Sequence, residues 1–263
     1  ISVGDTKVRF SIQSISKIIT LAVALEICGF DQVFKKVGME PTGDPFNSLM
    51  KLENTDSSPY NPMINAGAIV VASCLASEIS FDTMLDTIRA LCMDPDINLD
   101  KKVYHSEMSH ISRNRAIAYL LESKGYIEKN KDVENSLHFY VKMCSLSVTA
   151  ESLAGLGLIL ANDGIHPDTG KRLLSSQAVK IVKTLMFTCG MYDGSGEFAV
   201  RVGIPSKSGV GGGILSVVDG EMGIGIFGPA LDKKGNSVAG ECVLEYMSHE
   251  LHLHMFDPQR HTL

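Results

Sequence analysis

Ser14-Ile15-Ser16-Lys17-Ile18-Ile19-Thr20-Leu21-Ala22-Val23-Ala24-Leu25-Glu26-Ile27-Cys28-Gly29 is the stretch on which the fold turns. Its apolar residues fall on nearly every side of a helical repeat, and Gly29 supplies a stop. A helix that is apolar all round belongs in the middle of a core rather than on its surface. Ser14 would open that helix, and a three-residue offset stacks Ser14 and Lys17 on one face at hydrogen-bonding range. The helix N-terminus favours negative charge there, while apolar surroundings lower the pKa of Lys17. A neutral Lys17 amine can take the Ser14 proton and turn a weak hydroxyl into a nucleophile. A second reading stays open, with Ser14 as an N-cap and Lys17 as a snorkelling surface lysine. Ser48-Leu49-Met50-Lys51 has the same spacing, so the motif does not choose between them.

Outward from this helix, the segment Tyr60-Asn61-Pro62-Met63-Ile64-Asn65 reads as extended or turning, because Pro62 restrains Asn61. It leads into a second apolar helix over 66–76, with Asn65 just before the first turn. Apolar positions at three- and four-residue spacing predict further helices near 81–92, 108–122, 133–145, 149–162 and 175–187. The block from about 30 to 185 thus reads as an all-helical lobe. Then the pattern changes to short β-branched or Gly-punctuated runs over 198–204, 214–218 and 222–227, the last two flanking the hairpin signal Asp219-Gly220. A closing helix is expected over about 237–254. The fold class is therefore α+β, one catalytic domain with a helical lobe and a sheet-containing lobe of residues 1–29 and 186–263.

Across the 263 residues, 24 Lys+Arg stand against 30 Asp+Glu without a basic block, which gives no electrostatic support to a nucleic-acid or anionic-membrane surface. A small soluble ligand is the expected partner. The six cysteines (Cys28, Cys74, Cys92, Cys144, Cys189, Cys242) include no close pair of the kind zinc or redox motifs require, and read as reduced thiols of a cytoplasmic protein. No apolar run reaches the roughly 20 residues that span a bilayer, and residues 1–13 lack the plan of a signal peptide. His249-Glu250-Leu251-His252-Leu253-His254 departs from the helical His-Glu-x-x-His spacing, so a solvated terminal helix is expected there rather than a metal. No cofactor is called for.

The far end of the chain adds Lys207-Ser208-Gly209-Val210, running into glycines and then a strand. Serine acyl-transferases of the penicillin-recognising class set Ser-x-x-Lys on a buried helix and a Lys-Thr/Ser-Gly triplet on the facing edge strand. In that arrangement the N–H groups of Ser14 and Val210 form an oxyanion hole. The glycines that follow let backbone approach a ligand closely, or else mark only a bulge or bend.

Phe10-Ser11-Ile12-Gln13-Ser14-Ile15-Ser16-Lys17, Asn61-Pro62-Met63-Ile64-Asn65-Ala66-Gly67-Ala68, Ser106-Glu107 with Arg113-Asn114, Cys189-Gly190-Met191-Tyr192 and Pro205-Ser206-Lys207-Ser208-Gly209-Val210 follow one another along the chain. In that order they resemble the serine-dependent glutaminases, bacterial and animal alike, over essentially the whole chain. The resemblance implies a β-lactamase/transpeptidase-like fold and hydrolysis of the L-glutamine side-chain amide to glutamate and ammonia. It implies Ser14 as nucleophile, Lys17 as its base, and Ser14 and Val210 as oxyanion donors. It further implies that Asn65, Glu107, Asn114, Tyr140 and Tyr192 bind the substrate, with Tyr192 beside the nucleophile as a proton carrier, and that the assembly is a homodimer or homotetramer. The chemistry of glutamine agrees, since a carboxylate such as Glu107 suits its ammonium and neutral amides suit its carboxylate. Taken singly, each residue has a plainer part: Glu107 complementing a helix dipole, Asn65 an N-cap, Asn114 a solvated helix residue, Tyr140 a core aromatic, Tyr192 a loop tyrosine.

Members of that family open some tens of residues earlier, with a helix, strands and a pocket tyrosine. A chain opening at Ile1-Ser2-Val3-Gly4-Asp5 is therefore expected to lack that segment. Two other functions are carried forward: a β-lactamase or transpeptidase acting on another amide, and a non-catalytic form that binds glutamine without turning it over.

Overall fold

A computed structural model describes residues 1–42, 58–129 and 132–261. The second Ser-x-x-Lys stretch, 48–51, lies outside the described residues.

Two apolar helices stand side by side at the centre. The first, α1 (Ser16–Ile27), is buried from Ser16 through Leu25 and is entered through a tight 3-10 turn over Gln13–Ile15. Next comes the short α2 (Phe30–Phe34). In α3 (Asn65–Leu75) every residue is buried, as expected of a helix with no polar face. Asn65 is that helix's first residue, and Ile64 holds the cap position. The turn before it is built by Asn61, whose Oδ1 accepts from the N–H groups of Met63 at 2.9 Å and Ile64 at 3.2 Å. Its backbone lies so near that a Cβ on Gly67 would come within 2.0 Å of the Asn61 carbonyl, which explains a glycine inside a buried helix.

Around this pair lie α4 (Phe81–Leu91), α5 (Lys101–Ser109), α6 (Ser112–Ser123), α7 (Val133–Cys144), α8 (Ala150–Ala161) and α9 (Ser176–Cys189). The helix predicted over 108–122 is in fact two. Asp100 caps α5 through Oδ1 to the N–H groups of Lys102 and Val103, so a helix begins earlier, and a turn at His110 and Ile111 separates it from α6. Glu107 thus sits in the last turn of α5 rather than ahead of a helix. The helical stretch also holds two short strands, β2 (Asn98–Leu99) and β3 (Leu146–Val148). With β1 (Phe10–Ser11) they form a small antiparallel sheet, ordered β1-β3-β2, that ties the Gln13–Ile15 turn to the helices.

The second sheet is antiparallel too, β4 (Ser206–Gly209), β5 (Gly213–Val218) and β6 (Met222–Phe227), in that order. Helix α8 crosses one face, and α10 (Ser195–Arg201) and α11 (Val238–Glu250) pack with the other around Met191, Phe198, Val202, Ile214 and Leu244. The strand predicted over 198–204 is corrected here. Phe198 and Val202 are buried while Val200 between them is 79% exposed, a helical rather than a strand face, and the true edge strand starts only at Ser206. The closing helix ends at Glu250, earlier than predicted, and His252 follows in the left-handed region at φ +52°. His252 faces Asp257 and His254 faces the Ala199 carbonyl, so the two imidazoles turn to different partners.

Candidate active site

The site lies where the Gln13–Ile15 turn, the N-terminus of α3, helices α5 to α7 and strand β4 converge. Gln13, immediately before Ser14, adopts φ +48°, and Tyr192 adopts φ +55°. Non-glycine residues rarely sit there, and such strain is held only where surrounding structure over-determines it. Over Gln13 this surrounding structure is visible: Ile12 N–H donates to the Leu146 carbonyl at 2.8 Å, and Ser16 Oγ to the Gln13 carbonyl at 2.7 Å. Ser14 is thereby fixed in a nearly buried position. The end of strand β4 lies hard against the same turn, since a Cβ on Gly209 would come within 2.8 Å of the Ile12 carbonyl and 3.2 Å of the Ile15 side chain, and just beyond the strand one on Gly211 would come within 2.2 Å of the Ser11 carbonyl. That approach brings Val210 beside Ser14.

Two lysines are buried on the Ser14 side of the site. Lys17 Nζ donates to Met63 O at 2.9 Å and Asn65 Oδ1 at 2.8 Å, rather than to Ser14 as the three-residue spacing suggested. Burial brings its pKa down to about 8, opposed by nearby Cys144, so a substantial neutral fraction exists near physiological pH. Lys207 Nζ donates to the carbonyls of Gly190 and Ser208 and lies 4.5 Å from the centre of the Tyr192 ring. Burial, and then the neighbouring Lys17 charge, hold its pKa well below the usual lysine range. Burial pushes the Tyr192 phenol up to about 12, a rise opposed by the nearby Ser14 hydroxyl and Val210 N–H. The tyrosine oxygen therefore stands at the serine hydroxyl and at one of the expected oxyanion donors.

On the other side, Asn65 Nδ2 donates to Asn114 Oδ1 at 3.1 Å, and Gln13 Nε2 to Glu107 Oε1 at 3.2 Å. Tyr140 is buried beside Cys144, and burial raises its pKa well above that of an ordinary phenol. A cavity of about 140 Å³ gathers Ser14, Asn65, Glu107, Asn114, Tyr140 and Val210 on one wall or another. Lys17 and Tyr192 stay outside that lining. Lys17 lies beneath it, joined through Asn65, and Tyr192 lines a neighbouring cavity of about 180 Å³ with Met63.

Three further residues belong to the arrangement. Lys207 was visible in the Lys-Ser-Gly triplet, although its contact with Tyr192 was not. Gln13 was visible only as the neighbour of Ser14. Cys144, which lines the cavity and accepts from Ser16 Oγ at 3.8 Å, carried no signal in the sequence.

With this geometry in hand, comparison with known proteins gives a consistent result. Residues 1–256 match the family model described as Glutaminase. A glutaminase of Fusobacterium nucleatum is 53% identical over 257 residues, covering 96% of this chain and 84% of that protein. A glutaminase of Clostridioides difficile is 53% identical over 259 residues, covering 97% and 83%. A Bacillus glutaminase crystallised in 4.3 M NaCl superposes with a TM-score of 0.91 at 41% identity, covering 96% of this chain and 87% of that one. A Bacillus subtilis glutaminase in covalent complex with 5-oxo-L-norleucine, formed by reaction with 6-diazo-5-oxo-L-norleucine, superposes at 0.85 with 38% identity, covering 96% and 84%. The α+β fold and these relatives define a hydrolase. The chain belongs to the glutaminase family, amidohydrolases that act on glutamine.

Proposed function

We propose that this chain hydrolyses the side-chain amide of L-glutamine to L-glutamate and ammonia through an acyl-enzyme on Ser14. The observation that carries it is the single cavity lined at one end by Ser14 and Val210 and elsewhere by Asn65, Glu107, Asn114 and Tyr140. Glu107 takes the substrate ammonium by a charge-assisted hydrogen bond, and the amides of Asn65 and Asn114 take its carboxylate. Tyr140 closes the remaining side. This orientation delivers the far amide carbon to Ser14 Oγ.

Ser14 loses its proton to Lys17, with Tyr192 as carrier between them, and its oxygen forms a bond to the amide carbon. Negative charge then collects on the former carbonyl oxygen, where the N–H groups of Ser14 and Val210 stabilise it. The C–N bond breaks as nitrogen takes a proton from the same acid, and ammonia leaves. A water molecule gives its proton to the base, attacks the γ-glutamyl ester and restores Ser14. The positive charge of Lys207 beneath the Tyr192 ring would ease removal of the phenolic proton when that ammonium is charged. The covalent complex of the Bacillus subtilis relative with 5-oxo-L-norleucine supports a nucleophilic mechanism for this chain.

A cytoplasmic setting fits six cysteines that form no disulfide among the described residues, and a homodimer or homotetramer completes the reading. Among the described residues, no helix is long and apolar enough to cross a membrane.

The test is ammonia release from L-glutamine by the purified chain, with mass spectrometry after 6-diazo-5-oxo-L-norleucine. Turnover, together with one adduct on the peptide that contains Ser14, is expected. An active enzyme labelled elsewhere would overturn the assignment of Ser14, and a folded chain that binds glutamine without releasing ammonia would overturn hydrolysis.

A further inference from the structure

The helix that carries Glu107 is weakly rooted. No residue of α5 is fully buried, and it docks only through half-buried positions such as Val103, Tyr104 and Met108. An element with so little apolar burial has low local stability, and polar ties then decide where it rests. One such tie is short: the Tyr104 hydroxyl lies 2.6 Å from His138 Nδ1 on α7. Partial burial raises the Tyr104 phenol above its usual pKa, so it keeps its proton and can pair with Nδ1 in either direction, as the imidazole tautomer dictates.

The tie stands one helical turn from the cavity on both helices. Glu107 follows Tyr104 by three residues and Val141 follows His138 by three, and it is Glu107 and Val141 that line the cavity. Helix α7 is tied a second time on the same face. One turn before His138, Glu134 accepts from Arg115 Nε at 2.8 Å and Nη2 at 3.0 Å, and Arg115 is the neighbour of Asn114 on α6. The two helices bearing Glu107 and Asn114 are thus fastened to the helix bearing Tyr140.

We propose that Tyr104 and His138 form a positioning pair for the enzyme, whose hydrogen bond holds α5 against α7 and sets the place of Glu107. This rests on the assignment of Glu107 to the substrate ammonium. Neither residue touches substrate. Loss of the bond lets α5 drift, weakens recognition of the amino-acid end, and leaves the reacting end as it was.

Steady-state kinetics on L-glutamine test this with Tyr104→Phe, His138→Ala, their double variant, His138→Asn and, as reference, Glu107→Gln. Losing one partly buried hydrogen bond predicts a KM increase of roughly five- to tenfold in Tyr104→Phe and His138→Ala, with kcat within about twofold. The double variant is expected to be no worse than either single one, and His138→Asn, whose amide oxygen can accept near the place of Nδ1, to recover most of the affinity. An unchanged KM in folded Tyr104→Phe, a fall in kcat alone, or additive single effects would each overturn the pair. Should His138→Ala fail to fold, Tyr104→Phe removes a single oxygen and carries the test by itself. A silent Glu107→Gln would overturn the Glu107 assignment and the pair together, whereas a strong Glu107→Gln beside a silent Tyr104→Phe would overturn the pair alone.

Discussion

The two halves of the site solve different physical problems. Around Ser14 the surroundings are dry: Lys17 and Lys207 are 2% and 0% exposed, Tyr192 is covered, and desolvation moves all three pKa values. Around Glu107 and Asn114 the walls are half-open, and the side chains hold one another by hydrogen bonds, Gln13 to Glu107 and Asn65 to Asn114. In the proposed mechanism, chemistry at one end needs a base that is neutral at ordinary pH, which burial of Lys17 provides. Recognition at the other needs charge and hydrogen-bond geometry without loss of solvent access, which exposed helix ends provide. Asn65 joins the halves, because it accepts from Lys17 and donates to Asn114.

The largest effect is expected on the dry side. Ser14→Ala should lower kcat by about 10³-fold or more at unchanged fold, measured by ammonia release, because it removes the proposed nucleophile. Retained turnover would erase the distinction between the halves. Lys17→Met should nearly abolish activity as well, yet raise the melting temperature. The pKa of about 8 is below the unfolded lysine value, so the unfolded chain binds more protons between those values. Stability therefore rises with pH across that window, and the cost of the buried charge is fully present below about 8. Removing it should stabilise the fold at neutral pH by something on the order of 1–3 kcal/mol. A thermal melt checks this.

A pH profile sharpens the same contrast. If the neutral Lys17 amine is the base, kcat/KM should climb with pH and level off above about 8. A flat profile across that limb would move the base role elsewhere. On the half-open side, Glu107→Gln is expected to raise KM by roughly 10- to 100-fold with little change in kcat, since it removes a charge-assisted hydrogen bond to the ammonium. Asn114→Ala should have the smallest effect, a KM increase of about 3- to 10-fold, as Asn65 still faces the carboxylate. A large kcat loss in Asn114→Ala would show that the hydrogen-bonded link through Asn65 to Lys17 matters for chemistry.

Much of this was legible before any coordinates. The apolar helix after Ser14 and the buried helix after Asn65 follow from periodicity alone, because a helix without a polar face has nowhere to go but the interior. The hairpin at Asp219-Gly220 follows from turn chemistry. The run over 198–204 misled, because β-branched residues in a short segment favour strand only when no core imposes another period, and here Phe198 and Val202 answer to a helical face. The start of α5 was missed because its first turns carry few apolar residues and announce themselves only through the Asp100 cap.

What the sequence determined by itself is the set of chemically competent groups and their local setting: Ser14 at the entry to a buried helix that carries Lys17, Lys207-Ser208-Gly209 on a strand with Val210 just beyond it, and the ordered family motifs. Local rules reach that far because side-chain chemistry and helical or strand periodicity act over a few residues. Which groups meet is another matter. That the Ser14 hydroxyl faces Tyr192 while Lys17 turns to Asn65 and Met63, that Lys207 lies under the Tyr192 ring, and that Tyr104 reaches His138 are contacts between segments far apart in the chain. They depend on how close helices and strands pack, down to single glycines such as Gly67 and Gly211, and only the tertiary structure decides them.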